Sequence, residues 1–199
     1  MPDPTTFSFP ASSLPPLALG FFGLGVGYFI YGPQELFGFP RRDPGVDRTT
    51  GLWGIFMPGA MQLVTGIILW VGITWFQVFR GDPLLYMAAL AFTAYGIHWF
   101  AIGGGRYTGS DPRPNSFMAI AFAIISVLGL LVFFLGGDWP VGVLFCGLTA
   151  VYLSDIFASL RITVGERLLG VSHLLTGMWL MYLMFAVTVN FTLHYSWPV

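Results

Sequence analysis

The chain has 199 residues, 56% of them hydrophobic and 9% charged, with a formal net charge of −1 and a mean hydropathy of +0.77. A soluble globular domain carries about 25% charged residues, so this composition excludes an ordinary water-soluble fold and points to the bilayer as solvent. All eight basic residues are arginines, and a balance so near neutrality argues against nucleic acid as a partner. The single cysteine, Cys146, sits in an apolar run and excludes an internal disulfide.

A helix needs about 20 apolar residues to cross a hydrocarbon core of about 30 Å. Six runs meet that need: 14–31, 51–79, 84–102, 116–135, 141–160 and 168–193. The segments between them, GPQELFGFPRRDPGVDRTT, RGDP, GGGRYTGSDPRPN, GGDWP and RITVGER, hold the turn and charge signals. The expected fold is therefore all-α, a single polytopic domain of six transmembrane helices. The first thirteen residues lack the basic start of a signal peptide, so the first run is expected to stay in place. Within it, Gly20, Gly23 and Gly27 give a smooth face, suited either to contact inside the subunit or to a seam between subunits. The second run is long enough to tilt or to project beyond the lipid.

An even number of spans puts both termini on one side, where Arg80 is the only arginine; the other seven lie opposite. Positive-inside counting then places both termini outside. The rival explanation is an electropositive mouth that gathers anions.

Polar residues inside a span are expensive, so each invites a functional and a structural reading. Gln62 lies deep in the second run, where its amide needs a partner or water. In the third run, Tyr95, His98, Trp99 and Ile102 share one helical face while Thr93, Gly96 and Gly103 share another. One face can line a water path and the other pack, or both can serve interhelical hydrogen bonding. His98 reads as a packing histidine or as a pH-sensing or ligating group. Asp155 reads as an end-of-helix acid with a partner or as part of a proton relay. His98 and His173 stand on separate helices without the further pattern of a haem site. No paired catalytic carboxylates, nucleophile elbow, phosphate loop or metal cluster is present in the sequence, so neither an enzyme nor a cofactor is expected.

Five segments carry a resemblance: LPPLALGFFGLG (14–25), GAMQLVTG (59–66), ALAFTAYGIHW (89–99), SDPRPNSF (110–117) and VLFCGLTAVYL (143–153). In that order they resemble the acetate uptake transporter family of succinate–acetate permeases, most specifically through AFTAYG and the D-x-x-P-N-x-F loop. The opening motif departs from the family's Asn-Pro-Ala-Pro-Leu-Gly-Leu: Ser13 to Leu19 keep only the second proline and both leucines. The resemblance implies six-helix subunits in a homohexamer, each with its own pore for small carboxylates. It also implies a constriction of Phe22, Tyr95 and Leu148. Counted from the terminal side, these lie about 8, 11 and 7 residues into their runs, a common depth of roughly 10–17 Å at 1.5 Å per residue. Family members carry their basic residues mostly on the terminal side, opposite to this chain, and His98 is outside the family pattern.

The expected function is a cell-membrane path for acetate and similar short carboxylates, succinate among them. Phe22 and Leu148 would resist wetting, and the Tyr95 hydroxyl would donate to the passing carboxylate. Ser13, Gln62, Thr93, His98 and Trp99 are further candidates for the path, and Asp155 and His98 for proton coupling. The alternatives are a neutral-solute channel of the urea or amide type and a non-transporting accessory subunit of a membrane complex.

Overall fold

The computed structural model describes residues 14–79 and 81–199, so Ser13 and Arg80 lie outside the described residues. Among those residues there is no strand, and the regular structure is six long helices. They are α1 (Leu17–Phe37), α2 (Pro44–Thr74), α3 (Leu84–Thr108), α4 (Arg113–Leu135), α5 (Trp139–Ser159) and α6 (Thr163–Leu193). A helix satisfies its backbone polar groups internally, which lipid requires of any open segment. Five of the six, α2 to α6, are long and apolar enough to cross a membrane. The α1 helix is not among them, because Tyr28, Tyr31, Gln34 and Glu35 occupy its later turns.

The helices overrun several of the expected breaks. The α1 helix continues through Pro33 to a left-handed cap at Gly38. Asp43 then accepts hydrogen bonds from the backbone N–H groups of Gly45 and Val46, with Pro44 in the first turn, and so starts α2 seven residues early. The α2 helix passes through a π-helical turn, Ile55–Ala60, around Pro58, whose missing N–H cannot join the regular ladder. It ends at Thr74 rather than Phe79, and Phe79 folds back, buried, over Gly72. The α3 helix carries on through the triple glycine to Gly109, again left-handed.

Each helix packs on the next in sequence and α6 closes on α1, giving a ring around a central axis. Small residues set the seams. A Cβ on Gly23 would lie 2.6 Å from Met61 Cβ, and one on Gly27 2.7 Å from Pro58 Cγ, so the glycine face of α1 serves contact with α2 inside the subunit. Between α2 and α3, Gly51 faces Gly103, Gly59 faces Gly96 and Gly66 faces Thr93. A Cβ on Gly96 would come within 2.6 Å of the Leu63 backbone nitrogen.

Candidate functional site

Two cavities lie inside the ring and share no lining residue. The smaller, about 100 Å³, faces the turns that hold Asp82 and Asp138. Its walls are mainly Phe21, Leu24, Phe92, Leu144, Phe145 and Leu148. The larger, about 780 Å³, opens toward Arg42, Asp111 and Arg161 at the other end. The boundary falls at one level: Leu24 and Tyr28 on α1, Tyr95 and His98 on α3, and Leu148 and Val151 on α5 line opposite sides. Each of these pairs is one helical turn apart.

Aromatic rings fill that boundary. Tyr95 stacks on Tyr152 with centroids 5.5 Å apart and lies tilted against Phe122 at 5.7 Å. Tyr28 lies 4.3 Å from the His173 ring and 6.1 Å from Trp99. Tyr28, Tyr95 and Leu148 are each at most 2% exposed.

The expected trio of Phe22, Tyr95 and Leu148 is not brought together. Tyr95 and Leu148 both line the small cavity, but Phe22 is 37% exposed and lines neither. One residue is about 100° of helical rotation, and the wall position belongs to its neighbour Phe21, which packs 5.7 Å from the Phe92 ring. The Tyr95 hydroxyl also differs from expectation. It lies 2.9 Å from Ser126 Oγ, whose one hydrogen goes to the Phe122 carbonyl at 2.8 Å. Tyr95 therefore donates to Ser126, and its oxygen keeps only lone pairs for the axis.

Gln62 lines the small cavity, is fully buried, and has no hydrogen-bond partner for Nε2 or Oε1. Thr93, expected on the path, lines neither cavity; it accepts from Trp70 Nε1 at 3.0 Å and packs on Gly66 at the α2–α3 seam. His98 and Trp99 line the large cavity. His98 Nδ1 lies 3.2 Å from the Tyr152 hydroxyl, its ring stacks on Phe122 at 4.4 Å, and Nε2 has no partner. Trp99 packs edge-on to Tyr31. Asp155 also lines that cavity, buried, and accepts from Ser159 one turn on.

Charges of both signs line the large cavity. Among the described residues three arginines line it against five acids, Glu35, Asp47, Asp111, Asp155 and Glu166. Arg42 bonds Asp47, and Arg106 bonds Gln34, sits over the Tyr31 ring and approaches Asp47 at 3.9 Å. His173 Nδ1 meets Glu35 Oε2 at 2.6 Å, both side chains being buried. With five acids against three arginines on its wall, and Arg42 and Arg106 bonded, this cavity is not the electropositive mouth that the arginine count alone suggested. At its rim the Arg113 guanidinium bonds Asp111 and holds that carboxyl down at about 2. At the other mouth burial pushes Asp138 up, the nearby Asp82 charge adds to this, and a bond from the Val141 N–H opposes it.

The fold has counterparts among solved structures. The bacterial acetate channel SatP superposes with a TM-score of 0.74 at 17% identity, over 91% of this chain and 95% of that one. The urea channel of the human gastric pathogen Helicobacter pylori gives 0.66 at 15% identity, over 90% and 99%. The chain has the SatP channel fold. No family model and no curated protein matches the sequence. The motif resemblance thus finds its counterpart in the fold, and with five helices long and apolar enough to cross a membrane the protein is a multi-pass membrane protein.

Several residues on the axis of this SatP-type ring went unnoticed in the sequence. Leu24 and Tyr28 stand one turn apart among the α1 glycines, and Tyr152 follows Leu148 by four residues. Ser126 is the one polar side chain in the otherwise apolar stretch 117–135 of α4, a signal of the same kind that drew attention to Gln62. The Glu35–His173 contact spans 138 residues and has no local signal.

Proposed function

We propose that the protein passes acetate and related short carboxylates, succinate among them, across the cell membrane, each subunit of a hexamer carrying its own path. In this reading all six helices span and both termini lie on the outer side. The neck is the level where the two cavities abut, with Tyr95 and Leu148 joined by Leu24 and Phe21. The observation that carries the reading is this stacking of two cavities on one axis with a one-turn partition between them. An apolar neck that binds weakly suits conduction, since a solute must leave as readily as it enters. Asp155 and His98 line the large cavity, where a solute would take up or release a proton before or after the neck.

Uptake of labelled acetate into vesicles holding the full chain, compared with protein-free vesicles, tests this. Flux above the blank that changes in Leu148→Ala is the expected result; no acetate flux in the wild type overturns it. One observation favours a second reading, a channel for urea or small amides. The small cavity offers an unpartnered amide and a lone-pair oxygen, and no arginine or histidine among the described residues lines it. Labelled urea in the same vesicles separates the two.

A further inference from the structure

We infer that the species crossing the neck is uncharged, the undissociated acid R–COOH rather than the anion, and that the Gln62 side-chain amide selects it. The inference rests on the carboxylate reading above and names the form of the solute at the same site.

The lining chemistry leads to it. Besides Tyr95, the titratable side chains on the small cavity are Asp82 and Asp138, both acids at its mouth. The sequence has no lysine, and no arginine or histidine among the described residues reaches this wall. A carboxylate here meets two acids, apolar walls and no cation, and an ion moved out of water without a counter-charge is strongly disfavoured. The Tyr95 hydrogen is committed to Ser126, so the hydroxyl presents lone pairs, which repel an anion and accept from a neutral donor.

Gln62 supplies what a neutral acid needs. Its amide carries a donor and an acceptor side by side, fully buried on the cavity wall, both without a partner. A carboxylic acid presents the complementary edge. Its carbonyl accepts from Nε2–H while its O–H donates to Oε1, closing a ring of two hydrogen bonds. A primary amide presents the same edge, R–C(=O)–NH₂. A carboxylate has lost the donor, so it can take Nε2–H only while its second oxygen faces Oε1. A site built to pair a hydrogen of the solute rejects the form that lacks it. The proton then crosses on the solute itself, and carboxylate flux is proton-coupled without a relay in the protein.

The test uses the full chain in vesicles loaded with a pH-sensitive dye and in planar bilayers, each against a protein-free blank, with acetate and acetamide as probes. At fixed total acetate, flux above the blank should fall about tenfold per pH unit between about pH 6 and pH 8, because the undissociated fraction falls tenfold per unit above the carboxyl pKa. It should acidify the lumen and carry no acetate current, while acetamide flux stays flat over the same range. Gln62→Met, close in volume, should lower acetate and acetamide flux together by about tenfold. An acetate current with pH-flat flux overturns the inference and leaves the carboxylate channel standing. Unchanged flux of both probes in well-folded Gln62→Met removes Gln62 as the selecting group. If that variant fails to fold, the wild-type current and pH slope still decide. A wild type that passes acetamide but no acetate at any pH overturns the carboxylate reading itself.

Discussion

The two cavities lie a single helical turn apart and are built on opposite principles. The small one is dry walled, with one unpartnered amide and two acids at its rim. The large one is lined by paired charges, Arg42 with Asp47 and Glu35 with His173 among them. On the proposed path, the two ends offer a polar solute different things. At the wide end, the bonded charges engage each other, so they exert little net pull. At the narrow end, the wall behind the rim acids offers only hydrogen bonds, so selection on that path would fall where the field is weakest.

The comparison disappears if the ring opens, and the largest effect is expected at the α2–α3 seam. A side chain on Gly96 meets Leu63 N at 2.6 Å and the Gly59 carbonyl at 3.0 Å, backbone atoms that cannot turn aside. Gly96→Val should abolish monodisperse protein in detergent size-exclusion chromatography. Gly104, on the same helix, has open space around it, so Gly104→Ala should leave the profile unchanged.

Removing one wall group from each cavity sharpens the contrast. Leu148→Ala deletes a fully buried side chain in the dry cavity and should cost about 2–5 kcal/mol in unfolding stability while widening the neck. Glu35→Gln keeps the shape but weakens the buried contact to His173 and should cost about 1–3 kcal/mol without raising flux. Denaturant melts in detergent with parallel acetate flux measure both. Equal flux changes in the two variants would mean that the neck is not where the cavities abut. Tyr95→Phe should have less effect still, about 0.5–1.5 kcal/mol and a flux change of a few-fold, because Ser126 keeps its bond to Phe122 and no donor is orphaned.

Much of this arrangement was written in local pattern. The breaks fell at Gly, Pro and Asp clusters, and a common depth for Tyr95 and Leu148 followed from counting residues at 1.5 Å each; both do line one cavity. Phase was harder to read than depth. Phe22 and Phe21 differ by one residue in a helix whose opening motif is degraded, and nothing in composition says which of two adjacent phenylalanines turns inward. The early start of α2 was legible in Asp43-Pro44, an N-cap followed by the proline that suits a first turn, but the neighbouring arginines and glycine favoured a loop. Thr93 looked like a path residue because a hydroxyl in lipid invites function; its partner Trp70 lies 23 residues away on another helix. The Glu35–His173 contact depends on α6 closing against α1, a fact of the whole ring that no window along the chain contains.

The smallest effect separates the two rims, where two aspartates titrate in opposite directions. Asp111 is held down at about 2 by its bonds to Arg113, so its charged form is favoured by folding. Such a group adds stability above the unfolded carboxyl pKa and loses it as pH falls through the folded value. Asp138 is pushed up by burial, with Asp82 adding to the shift. Its charged form is disfavoured by folding, so its contribution is greatest at low pH and is lost as pH rises through the folded value. Asn keeps the side-chain oxygen that accepts from the Val141 N–H and removes the charge. At neutral pH, Asp138→Asn should therefore raise the melting temperature slightly and Asp111→Asn should lower it slightly. The Asp138→Asn gain should vanish below about pH 4, where the wild-type carboxyl is itself protonated, while the Asp111→Asn deficit should shrink from about pH 4 downward and be largely gone below about pH 2. Thermal melts of both variants across that range test the contrast, and two shifts of the same sign at neutral pH would show that the rims do not differ in charge environment as the cavities behind them do.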